Sequence, residues 1–331
     1  MDARVVALAI GDPNGIGPEV AVKAAAVLAD TWTVPPILVG NAAVIRGYAE
    51  RHAPHLPLRE LDREGAPVAH AINFVRVGSL PTDALRPGMV NAAAGAATVA
   101  YVEAAIGLVR RGVATAIVAC PHSETAVNAA GIPFSGYPSL LARLLDIPPE
   151  RIFLMLVGGG LRIVHATLHE RLRDALDRLT PELVEAAGLA AAQALVSLGI
   201  AHPRIGMLAI NPHAGENGLF GDDDDRITAP AAASLRRAGL DVQGPTGADT
   251  LLARRDLDAY IAMYHDQGHV PVKLLAPRSA AALSTGAGLL FSSVGHGSAF
   301  DIAGRGVADP TATLRALELV ASGSVAAEGA R

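Results

Sequence analysis

The chain has 331 residues, 51% of them apolar and 18% charged, with a formal net charge of −5. That profile predicts a compact protein of one large or two medium domains, and the mild acidity without any basic run excludes nucleic acid as a partner. A single cysteine, Cys120, excludes both an intramolecular disulfide and a thiolate zinc site. Only two of the 27 basic residues are lysines, Lys23 and Lys273. The apolar N-terminal stretch Val5–Ile10 falls well short of the ~20 residues needed to span a bilayer, so no membrane span or signal segment is expected and the cytoplasm is the expected location.

In chain order, short β-branched runs alternate with alanine-rich segments of helical length, which predicts an α/β protein. Strands are expected at Val5–Ile10, Pro36–Val39, Ile72–Val77, Thr115–Cys120 and Ile152–Val157. Further strands are expected at Leu161–Ala166, Ile205–Ile210, Ala259–Met263, Ala281–Thr285 and Leu289–Val294. Helices are expected at Pro18–Ala29, Ala42–Arg51, Asn91–Arg111, Pro181–Leu198, Pro230–Ala238 and Thr311–Val320. At the fourth of these, Thr180 can cap, Pro181 suits the first helical position, and Glu182 meets the positive helix end. The run Gly158-Gly159-Gly160 between two apolar strands reads as a hairpin. An antiparallel pair there points to a second domain near residue 140, with the chain returning to the first near its end. The acidic run Asp222–Asp225 reads as a solvated loop or helix start, since it lacks the spacing of a calcium loop.

Several histidines follow predicted strands, where α/β proteins place their ligands. They fall in three blocks, His165 to His169, Asn211 to Glu216, and Met263 to His269. Three imidazoles from three strand ends can form an open divalent-metal site. Asp249 and Asp266 are candidate helpers, either as ligands or by orienting an imidazole. Lys273, eight residues past His265, is the candidate general acid or carboxylate partner. The turn Gly11-Asp12-Pro13-Asn14-Gly15-Ile16-Gly17-Pro18 follows the first strand and can lay backbone N–H groups against an anion. The loop Gly295 to Gly306 is more distinctive: its small residues admit a flat ring and a phosphate, and Asp301 can accept from ribose hydroxyls, which favours NAD over NADP.

The loop His296-Gly297-Ser298-Ala299 with Asp301-Ile302-Ala303-Gly304 resembles the adenosine-binding loop of the β-decarboxylating dehydrogenases. The N-terminal Gly-Asp-Pro-Asn-Gly-Ile-Gly-Pro-Glu, Gly131-Ile132-Pro133-Phe134-Ser135-Gly136, Asn211-Pro212-His213-Ala214-Gly215-Glu216 and Tyr264-His265-Asp266-Gln267-Gly268 resemble the 4-hydroxythreonine-4-phosphate dehydrogenase family. The resemblance implies a two-domain, isopropylmalate-dehydrogenase-like α/β/α subunit. The first domain would be 1–130 with 300–331 and the second 131–299, with the active site in the cleft between them. It implies a homodimer, NAD held by His296, Gly297, Ser298 and Asp301, and a divalent metal, Zn2+ before Fe2+ or Co2+, on His169, His213 and His265.

The departures from the family pattern bear on substrate. Tyr137 and Pro138 stand where the phosphate-using members carry His and Thr. The family's substrate-binding Asn and Arg fall on Ala282 and Phe291, and Glu124 replaces a lysine. Each lost polar group removes a charge-assisted contact to a phosphate. The segments Ala119 to Ala126, Phe134 to Leu141 and Lys273 to Pro277 resemble the terephthalate dihydrodiol dehydrogenase branch instead. This implies oxidative decarboxylation of a dicarboxylate cis-diol to protocatechuate, with a phosphorylated hydroxy acid as the alternative substrate. Lys273, Asp249 and Asp266 would carry the acid–base chemistry, and Tyr137 and Phe291 would border the substrate ring beside Lys273. Arg278, His122 and Ser292 are candidates to anchor the distal carboxylate.

Overall fold

A computed structural model describes residues 4–322 apart from 63, 79 and 278; Arg278 therefore lies outside the described residues. The strands are β1 Val6–Ala9, β2 Ile37–Gly40, β3 Leu58–Glu60, β4 Ile72–Arg76, β5 Ala116–Ala119 and β6 Phe153–Gly158. They continue as β7 Leu161–His165, β8 Arg204–Leu208, β9 Asp241–Thr246, β10 Ala259–Ala262, β11 Ala281–Thr285 and β12 Leu290–Val294. The α-helices are α1 Gly17–Thr31, α2 Ala42–His52, α3 Ala92–Arg110, α4 Glu124–Ala129, α5 Tyr137–Leu145 and α6 Leu172–Arg178. They are followed by α7 Pro181–Ser197, α8 Ala229–Arg237, α9 Ala248–Ala253, α10 His265–Leu275 and α11 Thr311–Ser322. By contacts the chain forms two compact units, 1–140 with 289–322, and 141–288.

The first unit is built on parallel strands in the order β3-β4-β2-β1-β5-β12. Its central strands β1, β2 and β5 are buried at every residue, which is why they read as continuous apolar runs rather than alternating ones. α2 starts where Asn41 Oδ1 accepts from the backbone N–H groups of Ala43 and Val44 at 3.0 and 3.2 Å. α3 is long and apolar enough, by length and composition, to cross a membrane. Here it packs on β1, β2, β5 and α4 as a core helix.

In the second unit the order is β11-β6-β7-β10-β8-β9, with β11–β6 and β6–β7 antiparallel and the remaining pairs parallel. The predicted hairpin is the β6–β7 pair. Gly159 and Gly160, at φ +58° and +76°, close it as a two-residue turn, a conformation that glycine adopts without penalty. At α7, Thr180 Oγ1 accepts from Leu183 N at 3.2 Å, as its sequence predicts. Leu156, Leu161, Ile163, Leu208, Tyr260 and Val272 form the core beneath this sheet.

All ten predicted strands and all six predicted helices are present, each within a few residues of its expected ends. The elements the sequence reading passed over are β3, β9 and the helices α4, α5, α6, α9 and α10. β3 has three residues, and β9 carries Gly244 and Pro245, neither of which marks a strand. α10 contains Gly268 and Pro271, which locally argue against a helix.

Candidate active site

Two parallel strand ends of the second unit place the central side chains. β7 and β10 run side by side, and their C-terminal extensions stay joined: Ala166 N donates to Ala262 O, and Thr167 Oγ1 to Met263 O at 2.7 Å. Gln267 then pins the first turn of α10, accepting from Met263 N and donating to Ala209 O, each at 2.7 Å. The result puts His169 after β7 and His265 at the start of α10 with ring centroids 5.4 Å apart. Both line a cavity of about 300 Å3 together with Leu168, Glu170, Tyr264 and Asp266. Two of the three predicted metal histidines are therefore neighbours on one cavity wall.

His213 does not join them. It lies on a turn after β8 in which His213, Ala214, Gly215 and Glu216 all have positive φ, between +45° and +83°. Its Nδ1 faces Glu216 Oε2 at 2.9 Å and its ring packs edge-on against Phe220. Asp224 braces the start of this turn. Although it belongs to the acidic run expected to be solvated, it is 1% exposed, and it accepts from Ile210 N, Asn211 N and Thr228 Oγ1 at 2.8, 2.9 and 2.6 Å. Asp249 stands close by: Gly247, which precedes its helix, places a side-chain position 2.9 Å from Asp249 Oδ1 and 3.7 Å from His213 N.

Among the described residues no three His, Cys, Asp or Glu side chains stand close enough together to hold a metal. The chemistry of the donors nonetheless fits one. His265 Nδ1 meets Asp266 Oδ1 at 2.7 Å, as His213 Nδ1 meets Glu216, so in both rings a carboxylate takes one nitrogen and leaves Nε2 to ligate. Sequence reasoning left two further histidines out of its final set. His165 and His269 join His169 and His265 in one cluster, with the His165–His269 centroids 4.6 Å apart and the His265–His269 centroids 3.8 Å apart. The i, i+4 spacing of His265 with His269, which puts both on one face of a helix, was the signal available in the sequence.

Burial, with His269 adding its own field, pushes the His165 imidazole down to about 3, and burial pushes His269 down to about 4. In the first unit burial alone takes His122 down to about 4. A histidine charged in the unfolded chain below about 6.5 but neutral when folded binds fewer protons in the native state. Its stabilising contribution is therefore complete above pH 6.5 and lost as pH falls toward 4. We expect stability of the metal-free protein to drop by about 1.4 kcal/mol per pH unit for each of His122 and His165 over that window. Urea midpoints measured between pH 4.5 and 7.5 check this.

The first unit carries the predicted nucleotide loop. Ile16 N donates to Ser298 O at 2.9 Å, which lays the loop on the turn after β1. Gly15 permits this approach, since a Cβ there would sit 2.7 Å from Ser298 Cβ. Lys23 and Glu19 on α1 clamp the loop's far end. Lys23 Nζ donates to Gly306 O and Ala308 O, each at 2.9 Å, while Glu19 accepts from Gly306 N and Ala308 N at 3.2 and 2.7 Å. His296, Gly297 and Asp301 are exposed, whereas Ser298 is buried and its Oγ has no hydrogen-bond partner. An exposed acid and an orphaned hydroxyl on a small-residue loop fit a nucleotide.

Tyr137 and Phe291, expected to border a substrate ring, are 4% and 0% exposed. Their rings pack at 5.1 Å, Tyr137 also meets His122 at 4.5 Å, and the Tyr137 hydroxyl donates to Cys120 O at 2.8 Å. They fill the space between β5, β12 and the start of α5, and present no open face. Ser292 is likewise fully buried, on β12. Lys273 lies two turns past His265 on α10, partly buried.

Residues 33–320 match the family described as pyridoxal phosphate biosynthetic protein PdxA. The chain belongs to this family. It is 50% identical to a 1,2-dihydroxy-3,5-cyclohexadiene-1,4-dicarboxylate dehydrogenase of Comamonas sp., over 96% of this chain and 97% of that one. With the D-threonate 4-phosphate dehydrogenase of Cupriavidus necator it shares 39% identity over 95% of both chains. Among solved structures, the terephthalate 1,2-cis-dihydrodiol dehydrogenase of Burkholderia xenovorans LB400 is 56% identical with a TM-score of 0.76, covering 98% of this chain and 99% of that one. The 4-hydroxythreonine-4-phosphate dehydrogenase of Burkholderia phymatum is 36% identical with a TM-score of 0.88, over 98% and 99%.

Proposed function

We propose that this chain is an NAD- and divalent-metal-dependent dehydrogenase that converts the cis-dihydrodiol of terephthalate to protocatechuate. The substrate dianion loses a hydride to NAD and a carboxylate as CO2, which leaves the aromatic diol. The observation that carries this reading is near-full-length identity of 50% and 56% to two proteins named for that diol, against 39% and 36% for those named for phosphorylated hydroxy acids. Ala282 and Phe291, which stand where the phosphate-using members carry Asn and Arg, support it, because neither side chain can give a phosphate a polar contact.

His169, His213 and His265 would hold the metal, with zinc as first choice because imidazole donors suit it. When bound, the metal supplies Lewis-acid polarisation of the diol oxygens and the nicotinamide supplies the hydride acceptor. Asp266 orients His265 through its Nδ1. Glu216 does the corresponding work at His213, and Asp249, beside the His213 turn, is a further carboxylate for the site. The Lys273 ammonium would pair with the leaving carboxylate and can give a proton to the oxygen on the neighbouring, oxidised ring carbon, which becomes a phenol hydroxyl as CO2 departs. Asp301 accepts from the ribose hydroxyls of NAD. The exposure of Leu219 and Phe220, at 71% and 47%, suits a homodimer, the assembly we propose.

The test is NADH formation on the terephthalate cis-diol, with protocatechuate as the identified product, beside the same assay on 4-hydroxythreonine 4-phosphate and D-threonate 4-phosphate. We expect turnover on the diol alone, lost on chelation and restored by divalent metal. Turnover on a phosphorylated substrate with none on the diol would reassign the enzyme.

A further inference from the structure

His165 and His269 have no part in the proposed ligand set, yet their hydrogen bonds are directional. The Leu154 carbonyl lies 3.1 Å from His165 Nδ1 and can only accept, so His165 carries its proton on Nδ1. In the neutral ring Nε2 is then bare, and the 3.0 Å contact to His269 Nδ1 requires His269 to be the donor. The chain of bonds therefore runs from the β6 backbone through a fully buried imidazole to His269. It leaves His269 with one possible tautomer and a fixed ring plane. Against that plane lies His265, 3.8 Å away and within 13° of parallel. Gly268 is what lets α10 come this close. A Cβ there would overlap His165 Nε2 and sit 2.8 Å from Ile163 Cγ2.

His265 needs such a support, because its carboxylate partner Asp266 is 77% exposed and holds the ring through a solvent-competed bond. We propose that His165 and His269 are positioning residues, a backbone-anchored imidazole pair that sets the plane of His265 and so raises the affinity of the proposed metal site. This rests on the metal reading above. Removing a side chain that fixes a ligand ring by hydrogen bonding costs about 10–100-fold in metal affinity, and the same scale is expected for a ring fixed by stacking.

The experiment has two arms. Nitrogen-15 imidazole NMR on the metal-free enzyme at neutral pH should show His165 and His269 both protonated on Nδ1; a proton on Nε2 of His269 would overturn the relay whatever the metal does. Competition with a chelator for Co2+ then compares wild type with His269→Phe, which keeps a flat ring but cannot donate, and with Gly268→Ala, which keeps all four histidines. Binding 10–100-fold weaker in both is expected. A folded His269→Phe with wild-type Co2+ affinity and only a lowered melting temperature would refute the proposal. Failure of the wild type itself to bind Co2+ would instead refute the metal reading.

Discussion

His265→Ala is expected to lower kcat/KM on the diol at least a thousandfold, with the melting temperature close to wild type. Its ring is 36% exposed and lines the cavity, so truncation opens no core void. The loss of rate has a different origin. Removing one of three imidazoles from the proposed metal site would forfeit transition-state stabilisation worth several kcal/mol, and each 1.36 kcal/mol is tenfold in rate. His169→Ala should match it, since His169 stands on the same wall. Steady-state kinetics with added metal from micromolar to millimolar separates the two ways of losing activity. Activity that returns at high metal marks lost affinity, and activity that stays absent marks lost chemistry. Near-wild-type turnover in either variant would remove the metal from this pair.

Asp224→Ala should destabilise the second unit by about 3–5 kcal/mol, since each buried donor left without its acceptor costs about 1–3 kcal/mol. Three donors, Ile210 N, Asn211 N and Thr228 Oγ1, would be left facing one another in a site that is 1% exposed. The same carboxylate holds the start of a turn in which His213, Ala214 and Glu216 sit at positive φ, a conformation that non-glycine residues keep only when their surroundings enforce it. Activity should therefore fall further than stability explains, because His213 loses its placement. Asp224→Asn retains one acceptor and should lie between the two. Urea denaturation gives the first quantity, and kcat/KM measured well below the melting point gives the second.

These two aspartate and histidine cases show how unevenly the site could be read in advance. His265 was legible because its motif, Tyr264-His265-Asp266-Gln267-Gly268, follows an apolar run that ends where β10 ends. Asp224 was not. Four consecutive aspartates between Gly221 and Arg226 read as solvated, and the burial of Asp224 comes from Ile210, Asn211 and Thr228 meeting it from two segments. Tyr137 and Phe291 fail in the same way. An aromatic residue looks equally suited to a pocket wall or to a core, and only the packing of His122, Phe134 and the Cys120 carbonyl around Tyr137 closes it off.

The scarcity of lysine acquires meaning at both positions. Lys23 ties a loop to α1 through two carbonyls and Glu19. Lys273 shares α10 with His265, Asp266 and His269. Composition could mark the two residues as exceptions but could not tell a clamp from a candidate acid.

By itself the sequence determined the alternation of strand and helix, the Gly159-Gly160 hairpin, the α7 cap and the family, because each is written in residues adjacent in the chain or in motifs of fixed spacing. Tertiary structure alone decided that His165 and His269 stand behind His265, that His213 is held apart by Glu216 and Asp224, and that α10 forms across Gly268 and Pro271. Periodicity, capping and turn chemistry act over a few residues, whereas a hydrogen bond from residue 165 to residue 269 depends on strands that meet only when the sheet is formed.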